Sequence, residues 1–344
     1  MSDAFHASEI AAVADEAGEV LLRAGVSTPF RLEPITGGGN NRVYRVDSAT
    51  GPVVLKAYFR HPDDPRDRLR ADFGFSTFAW EGGARALPRP LAHDPQAGMA
   101  VYEFIAGRRL APDEVTAAHV AEAASFFRAV NEHRRSPAAA DLPEASEACF
   151  SIAAHLACVD RRVARLGGID AASPLGCEAA EMVGRRITPA WHRVRESVRS
   201  SARTAADEPL ATGDRCLSPS DFGFHNAILA SDGRLRFLDF EYAGHDDPAK
   251  MACDFFCQPA VPAPREHLPV FVASLAGLWE SPSAFRRRVD LLLPVYELKW
   301  CCIMLNEFLP ADGRRTFAGA GGDRDARRAA QLAKVAAALD RLDA

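Results

Sequence analysis

The sequence predicts an α+β protein made of two lobes, and three observations support this prediction. Short strand patterns separated by turn residues fill the chain up to about residue 105. Longer helical patterns dominate from about residue 113 onward. A two-stranded hairpin over residues 226–240 is the only β pattern among those helices. We therefore predict a β-rich lobe with a leading helix over residues 1–105, and a mainly helical lobe over residues 106–344.

The predicted β-rich lobe begins with a helix over residues 8–24, which ends at Gly25. A second helix is expected over residues 66–80, because Gly82-Gly83 then provides a helix-ending signal. Strands are expected where apolar runs are bounded by turn chemistry. The predicted strands cover residues 30–32, 42–46, 53–58, 89–92 and 100–104.

The predicted helical lobe is defined by apolar residues that recur with helical spacing. In its last helix, for example, Leu332, Val335 and Leu339 lie on one face. The predicted helices cover residues 113–134, 147–166, 177–201, 266–279, 284–309 and 323–342.

Composition narrows the class of protein. A chain of 344 residues with 48% hydrophobic and 25% charged residues is typical of a globular protein with a sizeable core. The net charge of −5 gives no electrostatic reason to expect a nucleic-acid partner. The chain has no apolar run of membrane-spanning length and no signal-peptide pattern, and its eight cysteines include no C-x-x-C pair. We expect a cytoplasmic protein that binds neither nucleic acid nor membranes.

The hairpin carries the side chains that are most informative about chemistry. If Asp232-Gly233 forms a two-residue loop, Asn226 lies directly opposite Asp239. Opposed residues of an antiparallel pair have Cβ atoms roughly 4.5–5.5 Å apart, so an amide oxygen and a carboxylate there can share Mg²⁺. Asp221 lies in the preceding loop and is free to face a reactant beside that cation. Kinases use one carboxylate for the acceptor hydroxyl, and an Asn and an Asp for the metal.

Each of these residues also has an ordinary structural explanation. Asp221 can form a turn, Asn226 can begin a hairpin, and Asp239 can cap the next segment; their joint occurrence at this spacing favours chemistry. Glu241, two residues beyond Asp239, would share its face and support the metal site, or else face solvent. By strand alternation His225 would point to the opposite face, and we interpret it as structural.

A glycine-rich segment between two strands is the candidate phosphate-binding loop. Glycine lets backbone N–H groups approach phosphate oxygens closely, although an ordinary hairpin loop could have the same composition. Pairing of residues 42–46 with residues 52–57 brings Lys56 near these glycines, where a lysine can hold the α- and β-phosphates of a nucleotide. The candidate loop residues are Gly37, Gly38, Gly39, Asn40 and Asn41.

The candidate lysine needs an acidic partner on the following helix. Asp72 lies in the body of that helix and Glu81 at its C-terminal end. Because a mid-helix carboxylate can pack against the sheet, whereas one at a frayed end usually faces water, we predict Asp72 and keep Glu81 as the alternative. The segment that joins the lobes would bind an adenine base through its backbone at Glu103 and Ile105, although a plain linker could have the same sequence.

Taken together, these segments resemble the aminoglycoside phosphotransferase and choline kinase superfamily, which has a eukaryotic-protein-kinase-like fold. Its members carry His-Gly-Asp-x-x-x-x-Asn and then an Asp within an Ile/Leu-Asp-Phe/Trp-Glu strand. Here Pro219-Ser220-Asp221, Asn226 and residues 238–241 stand at those places, and the resemblance extends over residues 30–310. It implies that Asp221 orients and deprotonates the acceptor hydroxyl, that Asn226 and Asp239 bind Mg²⁺, and that Lys56 holds the phosphates of ATP.

Two departures from the family pattern mark the chain as a divergent member. Pro219-Ser220 replaces His-Gly, and the acid that the family carries shortly after an Asp-Pro pair is missing after Asp247-Pro248. The resemblance implies an ATP- and Mg²⁺-dependent kinase whose partner is a small molecule, with a hydroxyl of a sugar, amino sugar or similar polyol as acceptor. The alternative, motivated by the two departures, is a pseudokinase-like nucleotide-binding or scaffolding protein without turnover.

Overall fold

The computed structural model describes residues 2–35, 41–62, 64–310 and 323–343, and it has the predicted α+β architecture. The strands are β1 (Arg31–Pro34), β2 (Arg42–Asp47), β3 (Val53–Ala57), β4 (Pro90–Asp94), β5 (Met99–Glu103), β6 (Gly107–Arg108), β7 (Cys216–Ser218), β8 (Ala227–Ala230), β9 (Leu235–Phe237) and β10 (Gly244–Asp246). The α-helices are α1 (Ser2–Arg23), α2 (Arg68–Glu81), α3 (Ala117–Asn131), α4 (Pro137–Ala140), α5 (Ile152–Arg165), α6 (Pro174–Met182), α7 (Thr188–Ala202), α8 (Pro248–Cys257), α9 (Leu268–Leu275), α10 (Pro282–Met304) and α11 (Arg324–Asp343).

Strands β1 to β5 form one antiparallel sheet with the order β1-β2-β3-β5-β4, so the predicted strands of the first lobe are confirmed. Different helices cover its two faces, because side chains alternate between faces along a strand. Leu55 of β3 and Val101 of β5 pack with α1 on one face. Tyr102 of β5 packs with Leu69 of α2 on the other face. Lys56 follows Leu55 in β3 and therefore lies on the face that α2 covers.

The helical part has one extensive core, in which α10 packs against α5, α7 and α8. The predicted helix over residues 177–201 is two α-helices, α6 and α7, joined by a π-helical turn at Val183–Ile187. The largest fully buried side chains of this core include Trp191, Tyr296, Phe127, Phe255 and Phe271.

Helix α8 is absent from the predicted helices, although its start carries two recognisable signals. The side chain of Asp247 caps it by accepting a hydrogen bond from the backbone N–H of Ala249, and Pro248 occupies its first turn. Every residue from position 248 to position 256 is buried. Its charged side chains, Lys250 and Asp254, lie four positions apart and are buried in ion pairs instead of facing solvent.

The prediction that the hairpin is the only β structure after residue 105 is wrong. β7 pairs with β10, and β6 pairs with β8 beside the hairpin. These additional strands, β6, β7 and β10, are two or three residues long, too short for an alternating pattern to be recognised.

The hairpin itself, β8 with β9, is confirmed, but its predicted register is wrong by one residue. Ala227 faces Phe237, which places Asn226 opposite Leu238 rather than opposite Asp239. The backbone N–H of Leu238 accordingly donates to the carbonyl oxygen of Asn226 over 2.8 Å.

The cause of this shift is the loop, which contains three residues, 231–233, instead of two. The backbone N–H of Ala230 donates to the carbonyl oxygen of Arg234 over 2.9 Å, and Gly233 adopts a left-handed conformation with φ of 76°. Three-residue hairpin loops use glycine at this last position. An Asp-Gly pair is compatible with both loop lengths, so the sequence alone does not select the register.

The predicted boundary after residue 105 falls between β5 and β6, and the division into two domains there stays a prediction. The eight cysteines are all free thiols. Within the described ranges, no helix has the length and apolar character needed to cross a membrane.

Candidate active site

Lys56, Asp72 and Asp239 meet between the sheet and the helical part. The ammonium nitrogen of Lys56 lies 2.6 Å from Oδ2 of Asp72 and 2.5 Å from Oδ1 of Asp239. The side chains of Lys56 and Asp72 are buried, whereas that of Asp239 is 42% exposed. The structure therefore brings together a basic group, a buried carboxylate that holds it, and a second carboxylate that solvent can reach.

Of the two acids considered as partners for Lys56, the structure places Asp72 beside it, whereas Glu81 is exposed at the end of α2. Asp72 also accepts a hydrogen bond from the hydroxyl of Tyr58 over 2.9 Å and one from the backbone N–H of Phe240 over 3.2 Å. Three donors on a buried carboxylate meet the requirement that buried charges be paired and hydrogen-bonded. Asp72 thereby joins α2 both to β3 and to the residue after Asp239.

The electrostatics of this group follow from burial and proximity. Burial raises the pKa of Asp72 above its usual value, although Lys56 acts in the opposite direction. Burial alone would raise the pKa of Asp239 and lower that of Lys56, but their mutual attraction outweighs it. As a result the pKa of Asp239 lies below its ordinary value and that of Lys56 well above, so both are charged near neutral pH.

The loop before the hairpin presents Asp221 next to Asn226. The side-chain nitrogen of Asn226 donates to the backbone oxygen of Asp221 over 3.0 Å and to its Oδ2 over 3.2 Å. Asn226 ends a 3₁₀ turn (Phe224–Asn226) instead of beginning the strand, which corrects the predicted placement. The flanking Phe222 and Phe224 are buried in the helical core. These two anchors hold the loop while the Asp221 side chain stays 39% exposed.

The interpretation of His225 as pointing away from the site is wrong. Its Nε2 lies 3.3 Å from Oδ1 of Asp221, because the turn at Phe224–Asn226 removes the strand alternation on which the prediction rested. Among the described residues, its buried Nδ1 has no hydrogen-bond partner. A side chain at position 223 would come within 2.8 Å of that Nδ1, so Gly223 leaves the space that the imidazole occupies.

Two site residues adopt left-handed backbone conformations that L-residues other than glycine rarely use. Ser220 has φ of 63° and Asp239 has φ of 68°. At position 220 the family pattern carries glycine, which takes this conformation without steric cost. Ser220 thus keeps the backbone geometry of the loop that precedes Asp221 at an energetic cost.

The side chains of Asn41 and Glu241 are hydrogen-bonded to each other. The side-chain nitrogen of Asn41 donates to Oε2 of Glu241, and its Oδ1 accepts the backbone N–H of Phe59 over 3.0 Å. Oε1 of the buried Glu241 accepts from Arg68 over 2.6 Å. Both polar atoms of the Asn41 side chain are therefore engaged within the protein, and the contact of residue 41 with a nucleotide as part of the glycine loop stays a prediction. Glu241 does not face solvent, which excludes the alternative of a solvent-facing acid, and its support of a metal site stays a prediction.

Of the other residues predicted to bind the nucleotide, the structure describes only Glu103 and Ile105 besides Lys56 and Asp72. Gly37, Gly38, Gly39 and Asn40 lie outside the described residues. Glu103 ends β5, and its side chain accepts a hydrogen bond from the backbone N–H of Arg89 over 3.1 Å. Ile105 is half-buried in the connection that follows. The roles of Glu103 and Ile105 at an adenine base stay predictions.

The donor set suits a hard cation that takes part of its ligands from phosphate. No group of three or more His, Cys, Asp and Glu side chains able to hold a metal occurs in the described ranges. Mg²⁺ is commonly held by only one or two protein oxygens together with substrate phosphates. The ionised, partly exposed Asp239 and the side-chain oxygen of Asn226 are of this kind, so these residues fit Mg²⁺.

Sequence reasoning missed two contributors to this site, Arg68 and Tyr58. Arg68 precedes Asp72 by four positions, which places both on one face of α2. That spacing was a usable signal. Tyr58 lies just beyond β3, where no local pattern shows that its hydroxyl reaches Asp72.

Comparison with known proteins supplies a family and a fold. The model of the phosphotransferase enzyme family matches residues 31–292. Similar solved structures include a choline/ethanolamine kinase family protein from Mesorhizobium loti, with 19% identity, 96% of this chain and 99% of that chain covered, and a TM-score of 0.54. A choline kinase from Streptococcus pneumoniae has 14% identity, coverage of 96% and 99%, and a TM-score of 0.56.

A spectinomycin phosphotransferase, in complex with ADP and spectinomycin, has 11% identity, coverage of 95% and 96%, and a TM-score of 0.60. None of the curated protein sequences matches the chain. At these identities the structural likeness establishes the kinase-like fold, which confirms the predicted fold class, and the family assignment comes from the match over residues 31–292.

Proposed function

Because the chain belongs to the phosphotransferase enzyme family and acts on an alcohol group, we propose that it transfers the γ-phosphoryl group of ATP, with Mg²⁺, to a small polyhydroxylated molecule. A sugar, amino sugar or similar polyol is the proposed acceptor class. The observation that carries the proposal is the ammonium group of Lys56 held between Asp72 and Asp239, close to the loop that presents Asp221. In this proposal Lys56 binds phosphate, Asp239 and Asn226 bind the cation, and Asp221 receives the acceptor hydroxyl.

In this proposal ATP is the phosphoryl donor. Asp72 is buried and has three donors, so it holds Lys56 in place while the ammonium group binds phosphate oxygens. Asp239 and Asn226 would hold Mg²⁺, which when bound neutralises charge on the β- and γ-phosphates. The spectinomycin phosphotransferase of similar fold binds ADP, in agreement with a nucleotide as the phosphoryl donor.

In this proposal Asp221 receives the acceptor hydroxyl. Its carboxylate is 39% exposed and is oriented by the amide of Asn226, so a hydroxyl can approach one of its oxygens. The acceptor would bind in the helical part, near residues 144–165 and 254–300. The spectinomycin phosphotransferase of similar fold binds spectinomycin, which supports a polyhydroxylated acceptor. The choline kinase of similar fold acts on a simpler alcohol.

Nucleotide binding and phosphoryl transfer test the proposal separately. We expect ATP to raise the melting temperature of the protein when Mg²⁺ is present. We also expect a panel of sugars, amino sugars and polyols to contain an acceptor whose phosphorylation converts ATP to ADP. Asp221→Asn should lower this transfer at least about a hundredfold with ATP binding intact, since a positioned base typically contributes that much. Asp113→Asn, an exposed acid, is the matched control.

The outcomes separate the candidate functions. Unchanged transfer by Asp221→Asn would exclude Asp221 as the base. Binding of Mg²⁺ and ATP without hydrolysis or transfer to any acceptor would favour the pseudokinase-like alternative.

A further inference from the structure

Both carboxylate oxygens of the buried Glu241 are hydrogen-bonded within the protein, and the proposed reaction gives this acid no role. It is 3% exposed, lies two residues after Asp239, and uses one carboxylate oxygen for Asn41 and the other for Arg68. Arg68 is 5% exposed and also contacts Oδ2 of Asp64 over 3.1 Å and the hydroxyl of Tyr242 over 2.9 Å. A buried carboxylate with charged and amide donors holds its neighbours in one arrangement, because each lost bond would leave a buried group unpaired.

The two partners of Glu241, Asn41 and Arg68, connect it to different parts of the proposed nucleotide site. Oδ1 of Asn41 accepts a hydrogen bond from the backbone N–H of Phe59, three residues beyond Lys56. Arg68 begins α2, and Asp72 follows one turn later. Glu241 itself is joined to Asp239 through Phe240. The elements that carry Lys56, Asp72 and Asp239 are therefore linked through this one side chain.

Lys56 and Asp239 also contact each other directly. In the proposed function the ammonium group binds phosphate and the carboxylate binds the cation, so their ion pair has to loosen when a nucleotide binds. The bonds of Glu241 involve neither of these atoms. They can persist in both states and keep the spacing between β3 and the segment after β9.

We propose that Glu241 is a positioning residue, which sets the spacing of Lys56 and Asp239 through Asn41 and Arg68 and thereby the affinity for ATP with Mg²⁺. It is neither a metal ligand nor a catalytic residue. This inference rests on the proposed function, since it concerns the nucleotide site of that function.

The inference can be tested by exchanging the acid at position 241 and the amide at position 41. In Asn41→Asp, two carboxylates face each other and the bond to Glu241 is lost, while the bond to Phe59 remains. In Glu241→Gln, the NH₂ group of the new amide faces a donor, because Asn41 and Arg68 both donate to this side chain. One of the two hydrogen bonds is therefore lost. In the double variant Asn41→Asp/Glu241→Gln, the new glutamine donates to the new aspartate and accepts from Arg68, so every connection is restored and the net charge is unchanged.

We expect the dissociation constant for ATP with Mg²⁺, measured by calorimetry, to rise at least about tenfold in each single variant and to return to within about threefold of wild type in the double variant. Gln96→Glu, at an exposed position of the sheet part, is the control for added charge and should change nothing. If Asn41→Asp does not fold, Glu241→Gln against the double variant makes the same comparison.

Recovery in the double variant supports positioning, because restored hydrogen bonds would not replace a lost metal ligand. A double variant that folds and binds as weakly as Glu241→Gln would overturn the inference, as would single variants that bind like wild type. Failure of the wild type to bind ATP with Mg²⁺ would contradict the proposed function itself, and the inference with it.

Discussion

Lys56 and Asp239 form an ion pair with 2.5 Å between Nζ and Oδ1, although 183 positions separate them in the chain. The pair joins the third strand of the sheet to the segment that follows the hairpin. Asp72 reinforces it from α2, because the same carboxylate binds Lys56 and the backbone N–H of Phe240. The two groups proposed for phosphate and cation are therefore brought together by the fold itself.

Replacing Lys56 by methionine leaves Asp72 buried without its cation, and we expect a loss of about 3 kcal/mol in the free energy of unfolding at pH 8. The pKa of Asp72, already raised by burial, rises further without Lys56. A carboxyl whose folded pKa is raised stabilises the protein below its unfolded pKa and loses that contribution as the pH rises through the folded value. The penalty should therefore shrink from pH 8 toward pH 5.

Urea denaturation at several pH values measures this penalty. Lys334→Met removes an exposed lysine and should change stability little at any pH. A penalty for Lys56→Met that is the same at pH 5 and pH 8 would contradict the assignment of Asp72 as the group left unpaired.

Ser220→Gly should stabilise the protein. A left-handed backbone costs a non-glycine residue about 1–2 kcal/mol, part of which is offset by the greater unfolded-state entropy of glycine. We expect a net gain of about 0.5–1 kcal/mol by chemical denaturation, with phosphoryl transfer retained. Ser231→Gly, at an exposed position outside the left-handed region, should give no gain. A loss of stability in Ser220→Gly would show that the serine side chain compensates for its backbone.

Gly223→Ala should impair phosphoryl transfer more than nucleotide binding. The backbone at position 223 is extended, with φ of 172°, so alanine is allowed there, but its Cβ would lie 2.8 Å from Nδ1 of His225. Displacing the imidazole disturbs the surroundings of Asp221, and misplacement by about 1 Å can cost a hundredfold in rate.

Turnover with the acceptor found in the panel should accordingly fall at least about tenfold, with the dissociation constant for ATP unchanged. Gly167→Ala, where an added Cβ meets no atom within 4 Å, is the control. Equal turnover of wild type and Gly223→Ala would mean that the imidazole can move without affecting Asp221.

Asp247 should account for part of the acid sensitivity of the helical part. Burial raises its pKa, but the hydrogen bond from His155 and the guanidinium of Arg288 outweigh burial and bring the pKa to about 2. A depressed carboxyl stabilises the protein above its unfolded pKa, near 3.9, and loses this contribution as the pH falls through the folded value. The contribution near neutral pH is about 2 kcal/mol.

Asp247→Asn keeps a capping side chain for α8 but loses the charge. The stability difference from wild type should be about 2 kcal/mol at pH 7 and should disappear between about pH 4 and pH 2. Asp290→Asn, at an exposed site of α10, is the matched control. A difference that persists unchanged at pH 2 would indicate that packing, not charge, is what the substitution removes.

Local patterns determined much of this protein in advance. Strand alternation, turn residues and helix signals follow from interactions a few residues apart, so the order of sheet and helices and the positions of Lys56, Asp221 and Asp239 could be recognised from spacing. Helix α8 was missed although Asp247 and Pro248 mark its start, because its charged residues are buried in ion pairs with distant partners such as Lys299 instead of marking a solvent-facing side.

Tertiary structure decided what depends on contacts between distant segments. It selected Asp72 over Glu81 as the partner of Lys56 and brought Asp239 to the same ammonium group. The orientation of His225 and the hairpin register have local causes, a 3₁₀ turn and a three-residue loop, that spacing did not reveal. Tertiary structure also joined Glu241 to Asn41 across 200 positions. The sequence shows which residues carry charge. Which of these residues come into contact depends on how the sheet, α2 and the hairpin pack against one another, and residue spacing along the chain does not determine that packing.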